Sequence, residues 1–279
     1  MDYAQIKSVN FSTLKHMATS PLAYQYALHT PLDGDMPALR IGRAYHVLAL
    51  DGVTAFDSAY VTYPGKQRRG KEWEAFLEQH ADYEILSTAE FALVHDMVRA
   101  LHEHEHAHEL ISTVDRHTEI PLQWTDKHTG LPCKGRMDLV VQPGCKAAEL
   151  APGGEPVEVW DLKSTQTVKE RRLVSEMADR LYHCQLAFYR RGLVANGFRV
   201  GRCGLICQEK AGPWDVFVMQ YDAGALFAAD LVLDKLLERL SACLASDKWP
   251  GASPGTQKRG LPTWAVPEEA LQLVVAHDD

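Results

Sequence analysis

The chain has 279 residues, 46% hydrophobic and 24% charged, with a formal net charge of −8 and a pI near 5.9. This is the profile of a soluble globular protein able to bury a sizeable core, and no apolar run approaches the ~20 residues of a membrane span. The acidic balance also excludes a protein that coats nucleic acid through overall positive charge. Contact with a polyanion would need local basic groups, or acids whose sign a divalent cation reverses. The N-terminus, "MDYAQIKSVNFS", lacks the basic start and apolar stretch of a signal peptide. Six scattered cysteines without a CxxC pair fit a reducing cytoplasm.

The first hundred or so residues read as helical. "NFSTLKHMATSPLAYQYAL" offers Asn10 or Ser12 as a helix cap and Ser20-Pro21 as the start of another helix. "MPALRIGRAYHVLAL" is an amphipathic segment ending before Asp51-Gly52. A basic connector, "YPGKQRRGKEW", leads to a long helical pattern from Ser87 to Ile111, capped by Ser87-Thr88-Ala89-Glu90. From about His117 the period changes. "TEIPLQWT", "LPCKGRMDLVVQP" and "VEVWDLKS" read as strands, the first two joined by the polar turn "DKHTG". A helical run from about Val168 to Asn196 follows, then strands in "VGRCGLICQEK" and "WDVFVMQ", and a helix over roughly Ala223 to Ser246. The expected fold is α/β: a mixed β-sheet core flanked by helices, with a helical N-terminal lobe. All 279 residues form one domain in this reading, with helices over about 1–112, the sheet core over about 113–247 and a wrapping tail over 248–279.

The most conspicuous stretch is "LHEHEHAHEL", Leu101 to Leu110. Alternate positions on a helix advance by about 200°, so only His102/His106 and His104/His108 share a face. Neither pair has a convergent acid on a second element. With Leu93, Met97, Leu101 and Leu110 as the apolar stripe, the histidines are expected on a solvent face.

"VEVWDLKS" is quieter and carries more chemistry. Residues two apart on a strand share a face, so Val159, Asp161 and Lys163 project on one side and Trp160 and Leu162 on the other. If the strand ending in "GRMDLVV" pairs with it, Asp138 and Asp161 converge. A divalent cation would resolve their repulsion, and the adjacent lysine could position a water or neutralise charge on phosphorus. A surface ion pair would leave the same D-x-K pattern, and the residues alone do not separate the two.

The wider arrangement does. Gly42-x-x-x-His46, a strand bearing Glu119, "GRMD" ending at Asp138, "DLKS" starting at Asp161, and Gln185-x-x-x-Tyr189 follow one another in order and spacing. Together they resemble the motifs of the PD-(D/E)XK nuclease superfamily, in its RecB-like and RecE-like (exonuclease VIII-type) branch. The opening "NFSTLKHMATSPLAYQYAL" and the Trp-Pro-Gly and Leu-Pro-x-Trp of the tail are similar to the same branch, so nearly the whole chain is covered. Met137 stands where the superfamily name has proline, Asp161 takes the place of a glutamate, and the cysteine set of cluster-bearing relatives is missing.

The resemblance implies a restriction-endonuclease-like core. It makes His46, Asp138 and Asp161 ligands of Mg²⁺ (or Mn²⁺), with the backbone carbonyl of Leu162 completing the shell. It makes Lys163 catalytic, has Gln185 and Tyr189 organise the site, and sets Glu119 as a first-strand acid near a second metal. It further implies 5′→3′ digestion of duplex DNA from an end, leaving 3′ single-stranded tails for recombination in a phage or prophage setting. A single-strand annealing protein as partner and a ring-shaped homo-oligomer go with that. The alternatives are a CRISPR-adaptation-type or structure-specific endonuclease with the same site, and a catalytically silent DNA-binding relative. Arg68, Arg69 and Lys71 of the connector, with Arg136 and Arg190, are the expected phosphate contacts.

Overall fold

The computed structural model describes residues 8–30, 36–145, 149–253, 255–256, 258–261 and 265–267. Pro262 and Trp264 of the Leu-Pro-x-Trp motif lie outside them, as does most of the tail beyond. Among the described residues no helix is long and apolar enough to cross a membrane.

Asn10 and Ser20 cap helices as their positions predict. Asn10 Oδ1 accepts from Thr13 N at 2.9 Å to open α1 (Phe11–Leu14), which runs into a 3₁₀ turn at Lys15–Ala18. Ser20 Oγ accepts from Ala23 N at 3.0 Å, and Pro21 begins α2 (Pro21–His29). The helix α3 (Pro37–His46) continues into a wide π-type turn, Val47–Asp51, and then α4 (Val53–Ala59). Next come β1 (Tyr60–Tyr63), α5 (Lys71–Gln79), β2 (Glu84–Ser87), α6 (Thr88–Glu103) and α7 (Glu105–Ser112). The remainder is β3 (Arg116–Thr125), β4 (Pro132–Val141), β5 (Val157–Thr165), α8 (Glu170–Asp179), α9 (Tyr182–Ala195), β6 (Val200–Glu209), β7 (Val216–Gln220) and α10 (Ala223–Ser246).

The main sheet has the order β3-β4-β5-β6-β7. Short connections make β3–β4 and β6–β7 antiparallel, as β4–β5 also is, while the crossover through α8 and α9 returns β6 parallel to β5. One face buries Val159, Met137 and Leu205 against α1, α9 and α10; the other buries Trp160, Leu162 and Ile206 against α3 and α6. The mixed sheet between helical layers agrees with the sequence. The N-terminal helices are shared between the layers: Phe11 and Leu14 belong to one core and Tyr45 and Met97 to the other.

Three local features depart from the sequence reading. Tyr60–Tyr63 and Glu84–Ser87 form a two-stranded parallel sheet inside the nominally helical region; four residues are too few for a strand period to register. The helix expected from Ser87 to Ile111 breaks at His104, whose backbone is extended and whose Nδ1 accepts from Ala107 N at 3.3 Å. The run from Val168 breaks at Leu181, which is left-handed with φ 58°. In both runs the apolar spacing continues past the break, so periodicity alone cannot see it.

Candidate metal and active site

The site begins with a fork in the sheet. β4 pairs with β3 at every rung but one, yet with β5 only where Leu139–Val141 faces Glu158–Trp160. Beyond Leu139 the two strands part, and extending their register by one rung sets Asp138 opposite Asp161. The β3–β4 register sets Glu119 opposite Asp138 in turn, on the one rung where that ladder is interrupted. Three acids therefore stand in a row across three strands.

The backbone explains the interruption. Glu119 has φ 53°, a left-handed conformation inside a strand, and such a residue breaks the two-residue alternation. Ile120, Leu122 and Trp124 pack on the core beneath α9. Arg116 and Thr118 instead reach the π-type turn on the opposite side, bonding Leu50 O at 2.7 Å and Asp51 Oδ1 at 2.9 Å. β4 changes face at the same rung, with Met137 in one core and Leu139 in the other.

Leu162 N donates to Asp138 Oδ2 at 3.0 Å across the fork. His46, the last residue of α3, brings Nδ1 to 3.6 Å from the same carboxyl oxygen. One ligand atom each from His46, Glu119 and Asp138 lies within 4.8 Å of the others. Asp161 is fully buried, forms an ion pair with Lys163, and accepts from Gln185 Nε2 at 3.0 Å. Gln185 Nε2 also donates to Tyr189 Oη at 2.8 Å, one helical turn along α9. Gly135 makes room for that turn, since a Cβ there would fall 2.9 Å from the Tyr189 ring. Lys163 Nζ lies 5.0 Å from the centre of the Tyr182 ring.

Burial and the neighbouring Asp138 push Asp161 up to about 6, with Lys163 pulling the other way. Burial also raises Asp138 and Glu119. Burial alone would depress Lys163, but the Asp161 and Asp138 carboxylates outweigh it and hold the ammonium above its ordinary range. Burial and the Lys163 charge bring His46 down to about 4, so its imidazole is neutral and its lone pair free. Acids reluctant to ionise together beside a neutral imidazole fit a hard divalent cation.

A cleft of about 320 Å³ reaches the row at Asp138 and is lined by Lys163, Gln185 and Tyr189 as well, while Asp161, Glu119 and His46 do not line it. It also contains Lys15, Lys134, Arg180 and Tyr182, none of which the sequence reading singled out. Lys15 opens the 3₁₀ turn after α1, and only the fold carries it to the sheet. Arg136 lines the cleft too, with Nε 2.7 Å from Glu119 Oε2. The other expected phosphate contacts do not line it. Arg68 donates to Glu90 at 2.8 Å and Ile85 O at 2.9 Å, Arg69 bonds Gln67 at 2.7 Å, and Lys71 starts α5. Arg190 pairs with Asp230 beside a separate groove of about 550 Å³ between α9 and α10.

His102, His106 and His108 are exposed and His104 is partly buried as a cap; none lines the cleft. If the chain cleaves DNA as its motifs imply, changing all four to glutamine should leave that cleavage within a few-fold of the parent in a gel assay on linear duplex. Loss of cleavage in a variant with unchanged circular dichroism would show that they serve the site.

A mixed sheet that splits at a row of acids, with a lysine two residues past the last, defines the PD-(D/E)XK nuclease class of fold. Residues 10–257 match one family of that class, described as a PDDEXK-like domain of unknown function (DUF3799), and the chain belongs to that family. A crystal structure from Eubacterium rectale, of a protein named only provisionally as an exonuclease, superposes with a TM-score of 0.57 at 12% identity. It covers 93% of this chain and 94% of its own, which establishes the shared fold. The crystal structure of a protein designated SSO0001 overlaps 60% of this chain and 69% of its own at 14% identity, and its TM-score of 0.29 carries no argument. No curated protein matches the sequence.

Proposed function

We propose that the protein is a Mg²⁺-dependent deoxyribonuclease that digests duplex DNA from an end in the 5′→3′ direction. The single observation that carries the hydrolytic reading is the row Glu119–Asp138–Asp161 with Lys163 beside it and His46 above it. His46, Glu119, Asp138 and Asp161 would hold the cation, together with the carbonyl of Leu162. A bound Mg²⁺ or Mn²⁺ supplies Lewis acidity at the phosphoryl oxygen and lowers the pKa of water. Lys163, held charged by its carboxylate neighbours, neutralises charge developing on the phosphoryl group and orients the attacking water; an ammonium above its ordinary range is a poor base. Gln185 occupies one oxygen of Asp161 and Lys163 the other, which together fix the orientation of the buried carboxylate. The basic groups Lys15, Lys134, Arg136 and Arg180 around the cleft suit a phosphate backbone, in a chain whose overall charge does not.

The direction of digestion, the 3′ tails, the annealing partner, the ring and the cytoplasmic setting rest on the RecE-like motifs. The name of the Eubacterium rectale protein agrees with exonuclease action. With Mg²⁺, linear duplex labelled at its 5′ ends should release label early, 3′ label should be retained longest, and covalently closed circles should survive. Efficient cutting of closed circles would replace the exonuclease with an endonuclease using the same residues.

A further inference from the structure

The break at His104 does more than end a helix. In an unbroken helix, His102 and His108 would be six residues apart, roughly 120° around the axis and about 9 Å along it. With α6 and α7 separated at His104, the two rings meet: Nδ1 lies 3.2 Å from Nδ1, with ring centres 5.4 Å apart and planes at 66°. Two imidazole nitrogens bound to one tetrahedral ion at about 2.0–2.1 Å stand roughly 3.3–3.4 Å from each other. The pair is already set at ligand separation. Ser112 Oγ is 3.3 Å from His108 Nδ1, and both histidines are exposed, so water can fill the remaining positions.

We propose that His102 and His108 form a cation site separate from the acidic row, one that takes a borderline transition metal such as Ni²⁺, Zn²⁺ or Cu²⁺. The other two histidines are otherwise engaged: His104 Nδ1 caps α7, and His106 Nδ1 lies 3.5 Å from Glu109. Arg116 lines the same groove as His102. A hydrogen bond between the two Nδ1 atoms requires that one ring of the free pair carry its proton there. On binding, that proton shifts to the Nε2 of the same ring, so both Nδ1 lone pairs face the ion with no net proton release. Imidazoles beside an arginine discriminate by donor type. Mg²⁺, which wants oxygen ligands, gains nothing here, while ions late in the first transition series bind nitrogen strongly.

The test uses the full chain without a histidine tag, in excess Mg²⁺, titrated with Ni²⁺ by calorimetry. The parent and His106→Ala should bind one equivalent that His102→Ala and His108→Ala bind roughly 10–100-fold more weakly or not at all. The substitutions remove exposed rings, and circular dichroism checks that α6 and α7 persist. Equal affinity and stoichiometry in all four proteins, or no Ni²⁺ binding to the parent, would overturn the site.

Discussion

Asp161→Asn and Lys163→Met should each lower Mg²⁺-dependent cleavage of linear duplex by roughly 10²–10³-fold or more, in proteins that remain folded. Asparagine keeps an oxygen for the Gln185 amide and loses the charge that a cation and Lys163 both need. Methionine retains the apolar stem beside the Tyr182 ring and removes only the ammonium. Stripping one member from a buried ion pair ordinarily costs on the order of 3–5 kcal/mol, because a bare charge is left behind. Here Asp161, already pushed up to about 6, can take a proton instead. The Lys163→Met protein should therefore lose less stability than that, and a melting curve in parallel with the cleavage assay separates the two losses. Cleavage by folded Lys163→Met within about tenfold of the parent would remove Lys163 from the chemistry.

Mn²⁺ or Mg²⁺ should raise the melting temperature at pH 8 and raise it far less at pH 5. Asp161 has its native value raised from the ordinary 3.8 to about 6, and Asp138 and Glu119 move the same way. A carboxyl with a raised native value binds its proton more tightly folded than unfolded. Its stabilising contribution is thus full below the ordinary value and lost as pH rises through the native one. Above about pH 6 Asp161 is ionised beside Asp138, a repulsion that Lys163 offsets only in part and a cation relieves; near pH 5 a proton on Asp161 has already relieved it. His46, brought down to about 4 from its ordinary 6.5, works in the opposite sense on the metal-free protein, losing stability as pH falls. The difference with and without cation is therefore the quantity to read. At a concentration about a hundredfold above the dissociation constant, binding is worth about 2.7 kcal/mol, or roughly 5–10 °C for a chain of this size. Equal shifts at both pH values would sink this account, as would a full shift at pH 8 in Asp138→Asn.

The sequence carried the parts of this site that depend on short-range periodicity. Trp160 and Leu162 do pack on one side of β5, with Val159 on the other, because a strand alternates whatever surrounds it. The convergence of Asp138 with Asp161 needed only that neighbouring strands pair. What stayed hidden depends on tertiary contact or on single backbone angles. Nothing in "RHTEIPLQWT" marks Glu119 as left-handed. Arg68 and Arg190 look like free cations until Glu90 and Asp230 arrive from distant segments. Gly135 in "GRMD" has no visible purpose until the Tyr189 ring lies against it. The histidine run lies on a solvent face as its periodicity implies, but its pairing differs: helical angles hold only while the helix does, and His104 ends it, so that His102 meets His108.

The fork between β4 and β5 bears on how the molecule holds together. Among the described residues three ladder rungs, Leu139–Trp160 to Val141–Glu158, join the β3–β4 half of the sheet to the β5–β6–β7 half. Past them Leu162 N donates to Asp138 across the gap. Each half presents acid to the other across the fork, while one core under α9 joins Met137 of the first half to Val159 and Leu205 of the second. An ion held from both sides would clasp the fork as well as serve the chemistry, tightening the sheet where its ladder is thinnest.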